Sequence, residues 1–404
     1  SYYCYDNSAL DCGVRYRVMP FEGKGTDIDA DITQDTSWDL VDSPIRINPS
    51  GDYLSVSANL NIEPGVVVQV AQGKGISFDG ACDTFTVSGN ETDHTRFEGQ
   101  HGQTWTGIAF TNICTTTDGT DDRHQFSYVD FANTTDYAIA AGSRHGSSPS
   151  SNANVGNFTL DHVTFSNVKG AVSHGSGQGT VFDISYFEVN DASESCFLFP
   201  DDSVVRLYEG EMDGCNQDYS MQHGAVTDAT SGASGSNSGT VGGSLTIENV
   251  SIANSEANLI RSFAEDIYIS NVSASNTDGL HDSVFARYSL RLLGNGGSGT
   301  HSAVINNFDA TMYDYGAKIT AVDAYSLTNV NIGDHPMAIL PGTSTTTGPV
   351  GDDASVDVLT AGSMEIARTL PTMSNVDLGT GDLTISGNSP SSAQTTISDL
   401  DAGG

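Results

Sequence analysis

Positive charge is what this sequence lacks. Four Lys and eleven Arg stand against 51 acidic residues, for a formal net charge of −36 over 404 residues. Such a surface repels phosphate backbones and anionic lipid, which excludes nucleic acid as a partner. Long apolar runs are missing too. No stretch approaches the roughly 20 residues that a membrane-crossing helix needs, so no transmembrane segment is expected. Helix-forming residues are sparse, while Gly, Ser, Thr, Asn and Asp abound. Charged residues make up only 16% of the chain, which excludes a disordered acidic polymer. There is no Gly-x-Ser-x-Gly, no phosphate-cradling loop and no basic-aromatic patch. The Thr runs 115–117 and 345–347 lack the regular array of an ice-binding face. The acidity suits a saline or Ca²⁺-rich exterior.

Cysteine is scarce, and its spacing is informative. No Cys-x-x-Cys occurs, which argues against zinc. The six Cys fall into sequence-local pairs: Cys4 with Cys12, Cys82 with Cys114, and Cys196 with Cys215. Other connectivities stay open on sequence alone. Disulfides imply an extracellular or cell-surface location. A start at Ser1 is what removal of a signal peptide would leave.

What the chain has in quantity is one recurring phrase. Ile267–Ser273 reads Ile-Tyr-Ile-Ser-Asn-Val-Ser, and Leu245–Ser251 reads Leu-Thr-Ile-Glu-Asn-Val-Ser. Related copies end at Asn307-Phe308, Asn329-Val330 and Asn375-Val376. Asn249 to Asn271 is 22 residues (271 − 249), and Asn307 to Asn329 is again 22 (329 − 307). A fixed period in the twenties marks a solenoid, with one coil per repeat. Alternate apolar residues point into the coil. Asn tolerates the left-handed backbone of a bend, and its amide can bond the Asn stacked one coil away. The predicted fold is therefore all-β, a right-handed parallel β-helix; a β-sandwich with Asn-rich turns is the alternative. Wider intervals hold insertions, read as surface loops: 141–154, 227–243, 294–300 and 341–353. Asn329 to Asn375 spans 46, close to two coils.

Residues 41–110 carry a more specific pattern. Ser43-Pro-Ile-Arg-Ile47, Leu60-Asn-Ile-Glu-Pro-Gly-Val-Val-Val-Gln-Val70, Gly75-Ile-Ser-Phe-Asp-Gly80 and Trp105-Thr-Gly-Ile-Ala-Phe110 resemble the opening coils of secreted and cell-surface right-handed β-helix proteins of bacteria and archaea. Leu60, Ile62, Glu63, Pro64 and Gly65 carry the first signature, and Trp105, Gly107 and Ile108 the second. The resemblance implies the fold and an exterior location. It leaves the chemistry open, because such proteins include adhesins, surface-layer proteins and carbohydrate-active enzymes. Residues 66–70 read as a fully buried parallel strand.

The expected organisation has three parts. Residues 1–40 are an N-terminal cap or the end of a preceding module. Residues 41–340 are the β-helix with loop insertions. Residues 341–404 continue the coils without a cap, ending on Ile397-Ser-Asp-Leu-Asp401 with Asp399 in the Asn place. An uncapped coil exposes strand edges, so a longer protein or end-to-end self-association is expected.

Candidate sites are few. Asp27, Asp29 and Asp31 share one face if their segment is a strand, and could bind Ca²⁺ or form a solvated acidic edge. Asp118, Asp121 and Asp122 are a second Ca²⁺ candidate that is also ordinary turn chemistry. Five Asn-x-Ser/Thr sequons occur, at Asn90, Asn133, Asn157, Asn249 and Asn271. Asn90 and Asn133 are the better glycan acceptors, since Asn249 and Asn271 are ladder positions. Asn276-Thr-Asp-Gly279 resembles a polygalacturonase motif in which the Asp is a catalytic acid, but the partner motifs of that family do not follow Asp278. A polysaccharide lyase would need a cationic cluster, for which Lys169, His174 and Arg144-His145 are the candidates. The sequence thus points to a structural or adhesive protein of the cell surface, stabilised by disulfides and Ca²⁺. A lyase or hydrolase acting on acidic glycans is the alternative, and a carbohydrate-binding fibre is a third reading, recognisable by an exposed aromatic row.

Overall fold

The recurring phrase cannot lie along one straight strand. In Asp266–Ser275 the buried apolar residues are Ile267 and Ile269, then Val272 and Ala274. Their spacing is two, three, two, whereas a flat strand alternates strictly. A corner resolves the conflict. Asn271 sits between the two apolar pairs at φ 53° and turns the backbone, so both pairs face one interior. Asn bears this left-handed conformation better than most residues with a Cβ.

The computed structural model describes residues 25–79, 83–111, 124–142, 156–174, 180–199, 203–215, 219–223, 243–255, 258–275, 288–293, 301–312, 316–320, 322, 324–340, 354–367, 372–379, 381–386 and 397–401. These form a parallel β-helix. An 18-stranded sheet and a 13-stranded sheet run along it, each built by parallel pairing of successive coils. The larger sheet supplies two of the three faces of each coil, because it is folded along the corner. In an early coil those faces are separate strands, Phe85–Ser88 and Thr95–Gly99. His124–Ala132 pairs with both of them, on either side of its corner residue Tyr128. The third face comes from short strands such as Tyr137–Ala141, Gly170–His174 and Phe197–Phe199.

A second left-handed corner follows the first after five residues. Asn133 follows Tyr128, Asn167 follows His162, Asp191 follows Tyr186, Gly214 follows Glu209 and Asn254 follows Asn249. Side chains stack at both corners. At the first, Asn271 Nδ2 donates to Asn249 Oδ1 (2.9 Å), Asn307 Nδ2 to Asn271 Oδ1 (2.8 Å) and Asn329 Nδ2 to Asn307 Oδ1 (2.6 Å). At the second, Asn167 Nδ2 donates to Asn133 Oδ1 at 2.7 Å. The expected amide ladder is present. The long interval to Asn375 resolves into coils of 29 and 17 residues (358 − 329 and 375 − 358), with Val358 at the corner register between Asp357 and Leu359. The strand Ile397–Asp401 places Asp399 opposite Asn375.

Inside, aromatic rings stack across coils. Phe97, Phe131 and Phe165 form a column with ring centroids 5.2 Å apart at each step. Phe158 and Phe182 form another at 5.0 Å. Cys196 and Cys215 are joined by a disulfide between neighbouring coils, with Cα atoms 5.5 Å apart.

Two expectations shift. The coils begin before residue 41: Thr26–Ile28 pairs with Ile45–Ile47, and Thr36–Trp38 with Leu60–Ile62. Ile32 and Trp38 are buried in the same core, so residues 26–40 belong to the solenoid. Residues 1–24 lie outside the described residues. Nor is the 66–70 segment buried throughout. Val66, Val68 and Val70 point inward while Val67 and Gln69 are half-buried, because each face of the coil has solvent behind it. The four inserted loops fall almost wholly outside the described residues. Among the described residues, no helix is long and apolar enough to cross a membrane.

Candidate functional site

The corner ladder changes its chemistry upstream of Asn249. The same left-handed position is held by Tyr128, His162, Tyr186 and Glu209, at φ 51°, 54°, 49° and 51°. These residues lack the local hydrogen bonding that makes Asn tolerant there, and each costs about 1 kcal/mol in backbone strain. Stacking offsets that cost. The Tyr128 and His162 rings lie 4.3 Å apart and 15° from parallel. His162 and Tyr186 lie 4.4 Å apart at 18°. The strand spacing of about 4.8 Å brings rings on successive coils close to van der Waals contact. His94 closes the upper end, edge-on to Tyr128 at 5.5 Å, with its Nδ1 3.1 Å from Asp130 Oδ1. His162 Nδ1 is 3.0 Å from Asp161 Oδ1, without the alignment of a hydrogen bond.

This row faces solvent. Tyr186 is 53% exposed, and the stack lines an open depression of about 530 Å³. Glu91, Glu188, Glu209 and Glu211 also line it, with Asn249 and Ser251 at its lower end and, among the described residues, no Lys or Arg. Glu188 and Glu211 are register neighbours on adjacent parallel strands, an arrangement that destabilises like charges. Glu188 Oε1 accepts from Asn190 Nδ2 (2.9 Å), and Glu209 Oε1 from Asn249 Nδ2 (2.7 Å). Glu211 has no hydrogen bond or ion pair among the described residues.

The coil is tightly packed where the ring row ends. Phe187 points inward and its ring occupies the space over Gly210, where an added Cβ would lie 2.2 Å from Phe187 Cε1. The next corner residue, Glu209, carries a carboxylate instead of a ring and reaches on to Asn249.

The described Ca²⁺ and lyase candidates lie elsewhere. Asp27 and Asp31 do not converge: Asp27 faces Arg46 at 3.8 Å, while Asp31 Oδ1 accepts from the Ser55 amide at 3.1 Å. Asp29 is exposed. Among the described residues, no group of three His, Cys, Asp or Glu is arranged to hold a metal ion. Asp118, Asp121 and Asp122 lie outside the described residues, as do Cys4, Cys12, Cys82, Cys114, Arg144, His145 and Asp278. Asn90 is exposed, with its Oδ1 accepting from the Thr92 amide (3.0 Å) and hydroxyl (2.8 Å). Asn133 is a rung of the second ladder, so the objection raised to Asn249 and Asn271 as glycan acceptors applies to it equally. Asn157 is buried.

Of the lyase candidates, the two that are described, Lys169 and His174, are not brought together. Lys169 Nζ sits 3.4 Å from Asp136 and 3.5 Å from Glu194, already neutralised. His174 is inside the core, where burial pushes its imidazole pKa down to about 3. Tyr137, beneath Lys169, has its phenol pushed up by burial and by Glu194 and Asp136. Comparison with family models, with curated proteins and with solved structures finds no match to this chain.

Proposed function

We propose that this chain is a structural or adhesive protein of the cell surface, working outside the cell, and that it contacts glycan through the ring row at the first corner. The observation that carries this reading is the stack Tyr128–His162–Tyr186, two half-buried rings ending on an exposed one, in an open groove. Sugars present C–H faces that pack on aromatic rings and hydroxyls that bond to carboxylates and amides. A row held by its own stacking is preorganised, so little side-chain entropy is lost on binding. The disulfide between Cys196 and Cys215 supports an oxidising exterior.

The test is a glycan array that includes neutral, acidic and basic oligosaccharides, probed with the wild-type chain and with Tyr186→Ala. Binding by the wild type and its loss in the variant, with an unchanged circular dichroism spectrum, is the expected outcome. Binding to no glycan, or undiminished binding by Tyr186→Ala, would refute it. Incubation with alginate and pectin is expected to release no products; new reducing ends would favour the enzymatic alternative instead.

A further inference from the structure

We infer that the groove selects a glycan carrying free amino groups, with a sugar ammonium held between the Tyr186 ring and Glu211. This inference rests on the glycan-binding reading and adds the chemistry of the ligand.

The charge around Tyr186 has no internal answer. Glu188, Glu209 and Glu211 come from two successive coils, and among the described residues no Lys or Arg lines the groove. Two of these carboxylates already accept a hydrogen bond from an Asn amide, whereas Glu211 accepts none among the described residues. Elsewhere on this acidic protein cations are used where they are needed. Lys169 bridges Asp136 and Glu194, and Arg206 lies 3.6 Å from Asp183. A bound ammonium would relieve the repulsion between Glu188 and Glu211 and complete the hydrogen bonding of Glu211.

The ring supplies the second half of the recognition. One face of Tyr186 is covered by His162, and no ring follows it in the ladder, because the next rung is Glu209. An ammonium beside an aromatic face flanked by carboxylates gains cation–π and charge-assisted hydrogen-bond energy together. The sugar body accounts for the rest of the lining, since Thr164, Asn249 and Ser251 can bond its hydroxyls. A uronate or sulfated glycan would meet four Glu side chains and be repelled.

Calorimetric titration of the full chain at 0.15 M salt tests this with three ligands: a de-N-acetylated glucosamine hexamer, its N-acetylated counterpart and hexalysine. The de-N-acetylated hexamer is expected to bind about tenfold more tightly than either of the others. Glu211→Gln and Tyr186→Ala should each weaken it by about tenfold, and Tyr186→Phe should retain it. Glu365→Gln, an exposed carboxylate on the other sheet, is the control for net charge and should leave binding unchanged. Equal binding of hexalysine, or equal loss in Glu365→Gln, would mean that bulk acidity attracts the ligand, and the inference fails. Equal binding of the N-acetylated hexamer also overturns it, while leaving the adhesive reading intact. Failure of both hexamers, together with an empty glycan array, removes both.

Discussion

Replacing Asn271 by Ala removes two rungs of the amide ladder at once. Asn271 Nδ2 donates to Asn249 Oδ1 at 2.9 Å, and its Oδ1 accepts from Asn307 Nδ2 at 2.8 Å. Asn271 is exposed, so water can replace each bond, and each contributes about 0.5–1 kcal/mol net. The backbone adds a second cost. At φ 53° an Ala is disfavoured by about 1 kcal/mol relative to Asn. The total for Asn271→Ala is about 2–3 kcal/mol. Asn271→Gly loses the same two rungs but has no Cβ to strain. Its extra freedom in the unfolded chain costs part of that gain, leaving it less damaging than Ala by about 0.5–1 kcal/mol. Urea unfolding of wild type, Gly and Ala variants gives the order. Amide exchange at Val250, Val272 and Phe308 gives the location, since a solenoid coil touches only its neighbours. If both variants fall within about 0.5 kcal/mol of wild type, or if Ala is no worse than Gly, the ladder is not structural and the corner argument fails.

The buried His174 makes stability pH-dependent. Its folded pKa of about 3 lies below the unfolded value of roughly 6.5, so the unfolded chain takes up the proton first as pH falls. Its contribution is complete above pH 6.5 and is lost between there and pH 3, by up to about 1.4 kcal/mol per pH unit; urea midpoints at several pH values should show a shallower acid slope in His174→Leu. Removing the disulfide with Cys196→Ser and Cys215→Ser, which are 19 residues apart, should cost about 3 kcal/mol. Thermal melts should show that reductant lowers the wild type towards the double variant and leaves the double variant unmoved. Gly210→Ala places a Cβ 2.2 Å from Phe187 Cε1 and should destabilise by about 1–3 kcal/mol, measured by chemical unfolding, with part of the loss recovered by adding Phe187→Leu.

The coil was legible where the corner residue is Asn. The repeat Ile-x-Ile-x-Asn-Val carries both the bend and the parity change, and it recurs at 22 residues in Asn249–Asn271 and Asn307–Asn329. The pairing of Cys196 with Cys215 was legible too, because 19 residues is close to one coil and brings neighbouring coils together. The start of the solenoid was not. Thr26–Ile28 and Thr36–Trp38 are three residues each, too short to show any alternation. Lys169 and His174 illustrate a different failure. Five residues apart, they looked like neighbours, but one lies outside against Asp136 and Glu194 while the other is wholly inside the third face.

The ring row is hidden in the sequence by its strand pattern. Tyr128-Val-Asp-Phe131, His162-Val-Thr-Phe165 and Tyr186-Phe-Glu-Val189 show apolar alternation and pass for plain strand pieces. Aligned on their first residue, they match Asn249-Val-Ser-Ile252 and place Tyr, His and Tyr where the corner requires an Asn. Propensity alone hides this, because it assigns left-handed corners to Asn and Gly. The corner demands only that successive side chains stack with gain enough to offset the strain, and planar rings at strand spacing satisfy that as well as amides do. A ladder of one kind satisfies itself: each amide bonds the next, and each ring covers the next. Where one kind of ladder gives way to another, a group can be left facing solvent without its counterpart. The junction of rings with amides lies between Tyr186 and Asn249, with Glu209 as the single rung between them and Glu211 beside it. Binding is therefore expected at the discontinuity of the repeat, and moving the discontinuity should move the site.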